Sequence, residues 1–75
     1  MPATLEAGLA VAKVVEISSS SAKSFEDAIR SGIARAAKTL EGIRGVTVLE
    51  QKAVVREGVI TEFRVNMKVT FILKA

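Results

Sequence analysis

The sequence predicts an α+β fold in which strand, helix, strand and strand follow in order, a three-stranded antiparallel sheet wrapping around one helix. Three patterns predict it. The run LAVAKVVEI from Leu9 to Ile17 is apolar and β-branched, apolar residues from Phe25 recur at helical steps, and Val59 to Leu73 alternates residue by residue. A chain of 75 residues holds one domain, because two independent cores would each fall below the roughly 40 residues that fold unaided. Residues 1–8 read as an N-terminal arm, with small residues, Pro2 and no periodicity, and 9–75 as the domain.

Strand one is expected from Leu9 to Ile17, and Ser18 to Ser21 as a connecting loop, since hydroxyl side chains compete with regular backbone pairing. Ser24 then precedes Phe25, with Asp27 three positions on, which predicts a serine cap and a carboxylate reaching back to the Ser24 amide. Phe25, Ala28, Ile29, Gly32, Ile33, Ala36, Leu40 and Ile43 form one apolar stripe, so the helix is expected to run about five turns. Gly42 and Gly45 bracket its exit, and the small residues Ala28, Gly32 and Ala36 predict a close packing partner.

Strand two is expected from Val46 to Val55, followed by a hairpin turn at Arg56, Glu57 and Gly58 in which Gly58 takes positive φ. Its alternation is imperfect, with Glu50 and Lys52 beside Val46, Val48 and Val54, so its register depends on where a bulge falls. Strand three is the clearest element. Phe63, Val65, Met67, Val69 and Phe71 share one face, while Glu62, Arg64, Asn66, Lys68 and Thr70 share the other. With the helix as crossover, strand three lies between strands one and two. One sheet face and two edges then remain open, and an unusually long strand three points to self-association.

Composition narrows the function. The chain has no Cys, His, Tyr or Trp, which removes thiolate and imidazole catalysis, disulfides and soft metal sites. An enzyme is not expected. The charge of +3 comes from eleven basic and eight acidic residues spread along the chain, a weak attraction for polyanions. Neither a secretory leader nor a membrane-spanning run is visible, so a cytoplasmic protein is expected, with no membrane partner.

Gly42-Ile43-Arg44-Gly45 matches the GxxG pattern that grips nucleic-acid backbones, but that pattern belongs between two helices and a strand follows here. Phe63 and Phe71 sit on the apolar face of strand three, which favours core packing over base stacking. No nucleic-acid partner is expected. Glu50, Glu57 and Glu62 offer oxygen ligands for a hard cation, without the spacing of a calcium loop. The polar row Glu62, Arg64, Asn66 and Lys68 either lines an internal cavity or faces water.

KVVEI at Lys13 to Ile17, the helix segment from Ala28 to Leu40 and EFRVNMKVTF at Glu62 to Phe71 together resemble the dodecins, at family spacing without gaps. Dodecins are small flavin-binding proteins whose strand-helix-strand-strand subunits assemble into a hollow shell of twelve. The resemblance implies that the sheet wraps its own helix and that strand pairing between subunits closes the shell. Flavin-binding members place a Trp just after the helix, where indoles sandwich paired isoalloxazine rings, and Gly45 stands there in this chain. A strand-three Gln that pairs with the flavin edge corresponds to Arg64, whose guanidinium donates but does not accept. The basic residue that contacts phosphate corresponds to Lys52, which keeps the charge, and an Arg near the end of strand three corresponds to Ile72.

By this resemblance the cofactor-binding positions are Gly45, Val46, Lys52 and Arg64. The expected function is a homo-oligomeric shell that binds or buffers a small ligand, either flavin (FMN, riboflavin or FAD), held weakly, or another phosphate-bearing cofactor. The alternative is a structural or calcium-type shell holding a hard cation and no organic cofactor.

Overall fold

The computed structural model describes residues 11–73. Strand β1 covers Val11–Ser21, helix α1 Phe25–Ala36, strand β2 Ile43–Arg56 and strand β3 Val59–Leu73. The sheet order is β1-β3-β2, and β3 pairs antiparallel with both neighbours. The α+β class and the central place of β3 therefore agree with the sequence patterns. The expected arm over 1–8 and the expected strand start at Leu9 lie outside the described residues.

The serine run is strand, not loop. Ser18, Ser19, Ser20 and Ser21 pair in register with Asn66, Val65, Arg64 and Phe63, because a long β3 offers ladder partners that outweigh the local preferences of serine. Only Ala22 to Ser24 remain to turn the chain into α1. Ser24 caps the helix as expected, its Oγ accepting from the Asp27 amide at 3.0 Å. Asp27 does not reach back to Ser24; its Oδ2 accepts from the buried Ser21 hydroxyl at 2.6 Å. The same Ser21 oxygen accepts from the Lys23 amide at 2.9 Å. The last residue of β1 thus anchors the first turn of α1.

α1 is 12 residues long, shorter than the five turns expected. After Ala36 the chain tightens, with Lys38 N donating to Arg35 O and Thr39 N to Ala36 O, the three-residue spacing of a narrowing last turn. Gly42, at φ 74, then reverses the chain, and its carbonyl accepts from Ile72 N at 3.0 Å. Pairing with β3 thus starts before Val46 and captures Ile43 opposite Phe71. Ile43 continues the apolar stripe because a strand residue facing the core satisfies a helical period by coincidence, and Leu40 lies in the turn after α1.

The hairpin turn is two residues rather than three, since Arg56 is paired with Val59. Gly58 has φ 79 as expected, and Glu57 also has positive φ, at 51. Two consecutive positive-φ residues match the twist of the flanking strands.

α1 covers one face of the sheet. Val65, Met67 and Ala28 are fully buried, with Ile17, Phe25, Ile29 and Val46 packed around them. The Phe25 and Phe63 rings meet edge to face, with centroids 5.1 Å apart, a favoured aromatic geometry. The molecule is elongated, 53 × 20 × 17 Å, with the opposite sheet face uncovered by any described element. Val55, Val59 and Ile60 near the hairpin are each more than half exposed.

Candidate ligand site on the open sheet face

Paired residues in an antiparallel ladder point to the same side, so the register assigns every side chain to a face. The odd-numbered residues from Phe63 to Phe71 face α1, and Glu62, Arg64, Asn66, Lys68 and Thr70 face outward. From β1, Ser18 and Ser20 pair with Asn66 and Arg64 and join this outer face.

β2 reaches the outer face through a bulge. Val46 and Val48 pair with Val69 and Met67 and are oriented to the core, but the register then shifts so that Glu50 pairs with Asn66. Leu49 is the extra residue. Were Leu49 paired regularly with Asn66 instead, Glu50 and Lys52 would share the side of Val46 and Val48, since strand side chains alternate strictly. The bulge turns both charged residues outward, which explains the imperfect alternation of strand two.

Ser18, Glu50, Lys52, Arg64 and Asn66 line a small cavity of about 180 Å³ on this face. Lys52 and Arg64 are direct cross-strand partners. The Arg64 Nε donates to Glu62 Oε1 at 3.0 Å, and the Asn66 Nδ2 donates to Glu50 Oε1 at 3.0 Å. Lys52 has no ion pair among the described residues. Like charges placed directly opposite destabilise a sheet, and a bound anion between them would relieve that repulsion.

The positions singled out in the sequence are therefore only partly gathered. Lys52 and Arg64 meet in one cavity. Gly45 lies on the same face, opposite Thr70 and outside that cavity, and a Cβ built on it meets nothing within 4 Å. Val46 is half-buried, packs against the Ala28, Val65 and Met67 cluster and points to the core. Ser18 is not among the positions the sequence singles out, because serine propensity points to a loop; the strict alternation of β3 is the available signal, since it requires partners along its whole length. Glu57 sits at the turn, apart from Glu50 and Glu62, and no group of three acidic side chains among the described residues is arranged to hold a metal. Gly42 to Gly45 lead into a strand rather than lying between helices, and Phe71 is buried. No described helix is long and apolar enough to cross a membrane.

Comparison with solved structures places this architecture. The dodecin of Streptomyces davaonensis superposes with a TM-score of 0.84 at 33% identity, covering 88% of this chain and 97% of that one. A single-residue variant of the Thermus thermophilus dodecin gives 0.83 at 33% identity, covering 88% and 98%. A calcium-chelating antigen of Mycobacterium tuberculosis, described as a calcium dodecin with a novel calcium-binding site, gives 0.75 at 30% identity, covering 85% and 91%. A search of the curated proteins gave no significant match. The family model for dodecins matches residues 11–74, nearly the whole chain, and the chain belongs to the dodecin family.

Proposed function

We propose that this chain assembles into a hollow homo-oligomer of twelve subunits and works as a cytoplasmic binding protein, without catalysis, that holds or buffers a small phosphate-bearing ligand. The observation that carries this reading is the Lys52 and Arg64 pair on the uncovered sheet face. Two cations held opposite each other, with hydroxyl and amide neighbours in Ser18 and Asn66, suit a phosphate group. Repetition by symmetry in a concave interior would raise the local concentration of anions, and salt would weaken the effect.

Among flavins this arrangement suits FMN or FAD better than riboflavin, because Lys52 and Arg64 recognise the phosphate while Gly45 offers no ring to stack upon. If flavin is the cargo, it is therefore held weakly at Gly45, Lys52 and Arg64, with Val46 contributing no side chain to this face. A calcium-type shell, suggested by the mycobacterial relative, would require Glu50 and Glu62 to leave Asn66 and Arg64 and to be joined by carboxylates of other copies.

Native mass spectrometry tests assembly and cargo together. Twelve subunits of 8.0 kDa are expected, and a stable monomer at micromolar concentration would overturn the shell. A titration with riboflavin phosphate at low and high salt is expected to show salt-sensitive binding that Lys52→Ala weakens. Calcium binding without any phosphate binding would favour the cation shell instead.

A further inference from the structure

We propose that the groove between α1 and β1, on the helix side of the sheet, is a second ligand site that takes a phosphate monoester with a small ring as its body. The groove has a cavity volume of about 410 Å³ and is lined by Ser18, Ser19, Ser31, Arg35, Thr39 and a floor of Ile17, Gly32, Ala36 and Leu40. That volume lies within the range of small-ligand pockets. Its main polar groups lie on the helix side, across the sheet from the Lys52 and Arg64 cavity, with Ser18 alone shared.

The placement follows from helical spacing. Ser31, Arg35 and Thr39 recur at four-residue steps, so α1 and the turn after it present a hydroxyl, a guanidinium and a second hydroxyl along one rim. Gly32 and Ala36 lie beside them, are buried, and form the floor of the groove together with Ile17. The other wall is β1, an edge strand, whose outward backbone groups lack ladder partners among the described residues.

The state of these polar groups points to an anion. Arg30 on the same helix is tied to Glu26 four residues earlier, and Arg64 is tied to Glu62. The residue four before Arg35 is Ser31, so no carboxylate neutralises it, and Arg35 has no ion pair among the described residues. The Thr39 hydroxyl is donated to the Ala36 carbonyl at 3.4 Å, so the Arg35 guanidinium and the Ser31 hydroxyl are the donors that match a phosphate dianion. The apolar floor of Ile17, Ala36 and Leu40 would receive a ring attached to that phosphate. Inorganic phosphate would use only the rim, and an uncharged ring only the floor.

The probe is 4-fluorophenyl phosphate, followed by fluorine NMR on the assembled protein, with 4-fluorophenol and inorganic phosphate as its two halves. Saturable binding of the monoester, tighter than either half, is expected. Arg35→Gln should weaken it by about tenfold, Ser31→Ala by a smaller factor, and Arg30→Gln, off the groove, should not alter it. Mass photometry of each variant checks that assembly is intact. No binding by the assembled wild type would overturn the site. Equal affinity for 4-fluorophenol would overturn the anion recognition. Binding lost in Lys52→Ala but kept in Arg35→Gln would assign the probe to the open face, which supports the shell reading and overturns the groove.

Discussion

Gly32 of α1 faces Met67 of β3 so closely that the Met67 methyl occupies the space a Cβ on residue 32 would need. Ser19 closes the other side, with its Cβ 3.0 Å and its Oγ 3.2 Å from that position. Side chains of the sheet therefore pack directly against the helix backbone here. The same approach lets Val65, Met67 and Ala28 exclude water completely.

Gly32→Ala sets two effects against each other. Alanine gains about 1 kcal/mol in helix propensity, whereas overpacking a filled core costs about 1–3 kcal/mol. Met67 is fully buried and Ser19 Cβ stands 3.0 Å from the added methyl, so net destabilisation is expected, read as a lower urea midpoint at fixed protein concentration. Combining it with Met67→Val should cost less than the sum of the two changes. A more stable Gly32→Ala protein would mean that Met67 repacks freely.

At the hairpin, Glu57 holds φ 51 without the freedom of glycine. Left-handed backbone costs most L-residues about 1–2 kcal/mol, and asparagine tolerates it best. Glu57→Asn should therefore stabilise the protein by about 0.5–1 kcal/mol. Thermal unfolding is the measurement, and no change would show that the turn relaxes at little cost.

The Leu49 bulge makes a sharper test of the open face. Deleting Leu49 leaves Glu50 directly after Val48, so the ladder closes without a bulge and Glu50 and Lys52 stay opposite Asn66 and Arg64 on the outer face. Phosphate-ligand binding should therefore be retained. Leu49→Thr keeps the bulge and should retain it too. A deletion variant that assembles but no longer binds riboflavin phosphate would show that the bulge itself, and not the register, orients Lys52.

Gly45→Trp together with Arg64→Gln should improve flavin binding. Stacking on an aromatic ring is worth about 1–3 kcal/mol for a base, and an amide supplies the acceptor that guanidinium lacks. Gly45 is outside the positive-φ glycines, and the space beside it is open, so the indole enters without strain. Fluorescence titration of wild type, both single variants and the double variant should show emission quenched most strongly in the double. No gain in a correctly assembled double variant would mean that this face is not a degenerate flavin site.

The strict alternation of β3 made the sheet legible, since a long strand with one apolar face dictates both neighbours. Helix length was not legible, because Leu40 and Ile43 extend the apolar stripe while Gly42 takes the chain into the sheet. Serine propensity likewise misled at Ser18 to Ser21, where pairing with β3 supplies what the local sequence does not. In the candidate site, Lys52 and Arg64 were identifiable through resemblance, but their direct opposition depends on the Leu49 bulge. The groove beside Arg35 was not legible, because its β1 wall includes Ser18 and Ser19, which local chemistry assigns to a loop.

The irregularities of the sheet all fall on one side. β1 meets β3 without a break from Val11 to Ser21, whereas β2 meets it with shifts after Ile43, Val48 and Val54. The two free edges are therefore unlike, one even and one repeatedly offset. An even edge docked on an offset one cannot propagate a uniform ladder, so stacking of copies into an endless cross-β ribbon is interrupted at every subunit. A chain with long strands, half its residues hydrophobic and no cysteine to staple it thus carries its protection against fibril growth in the uneven spacing of β2.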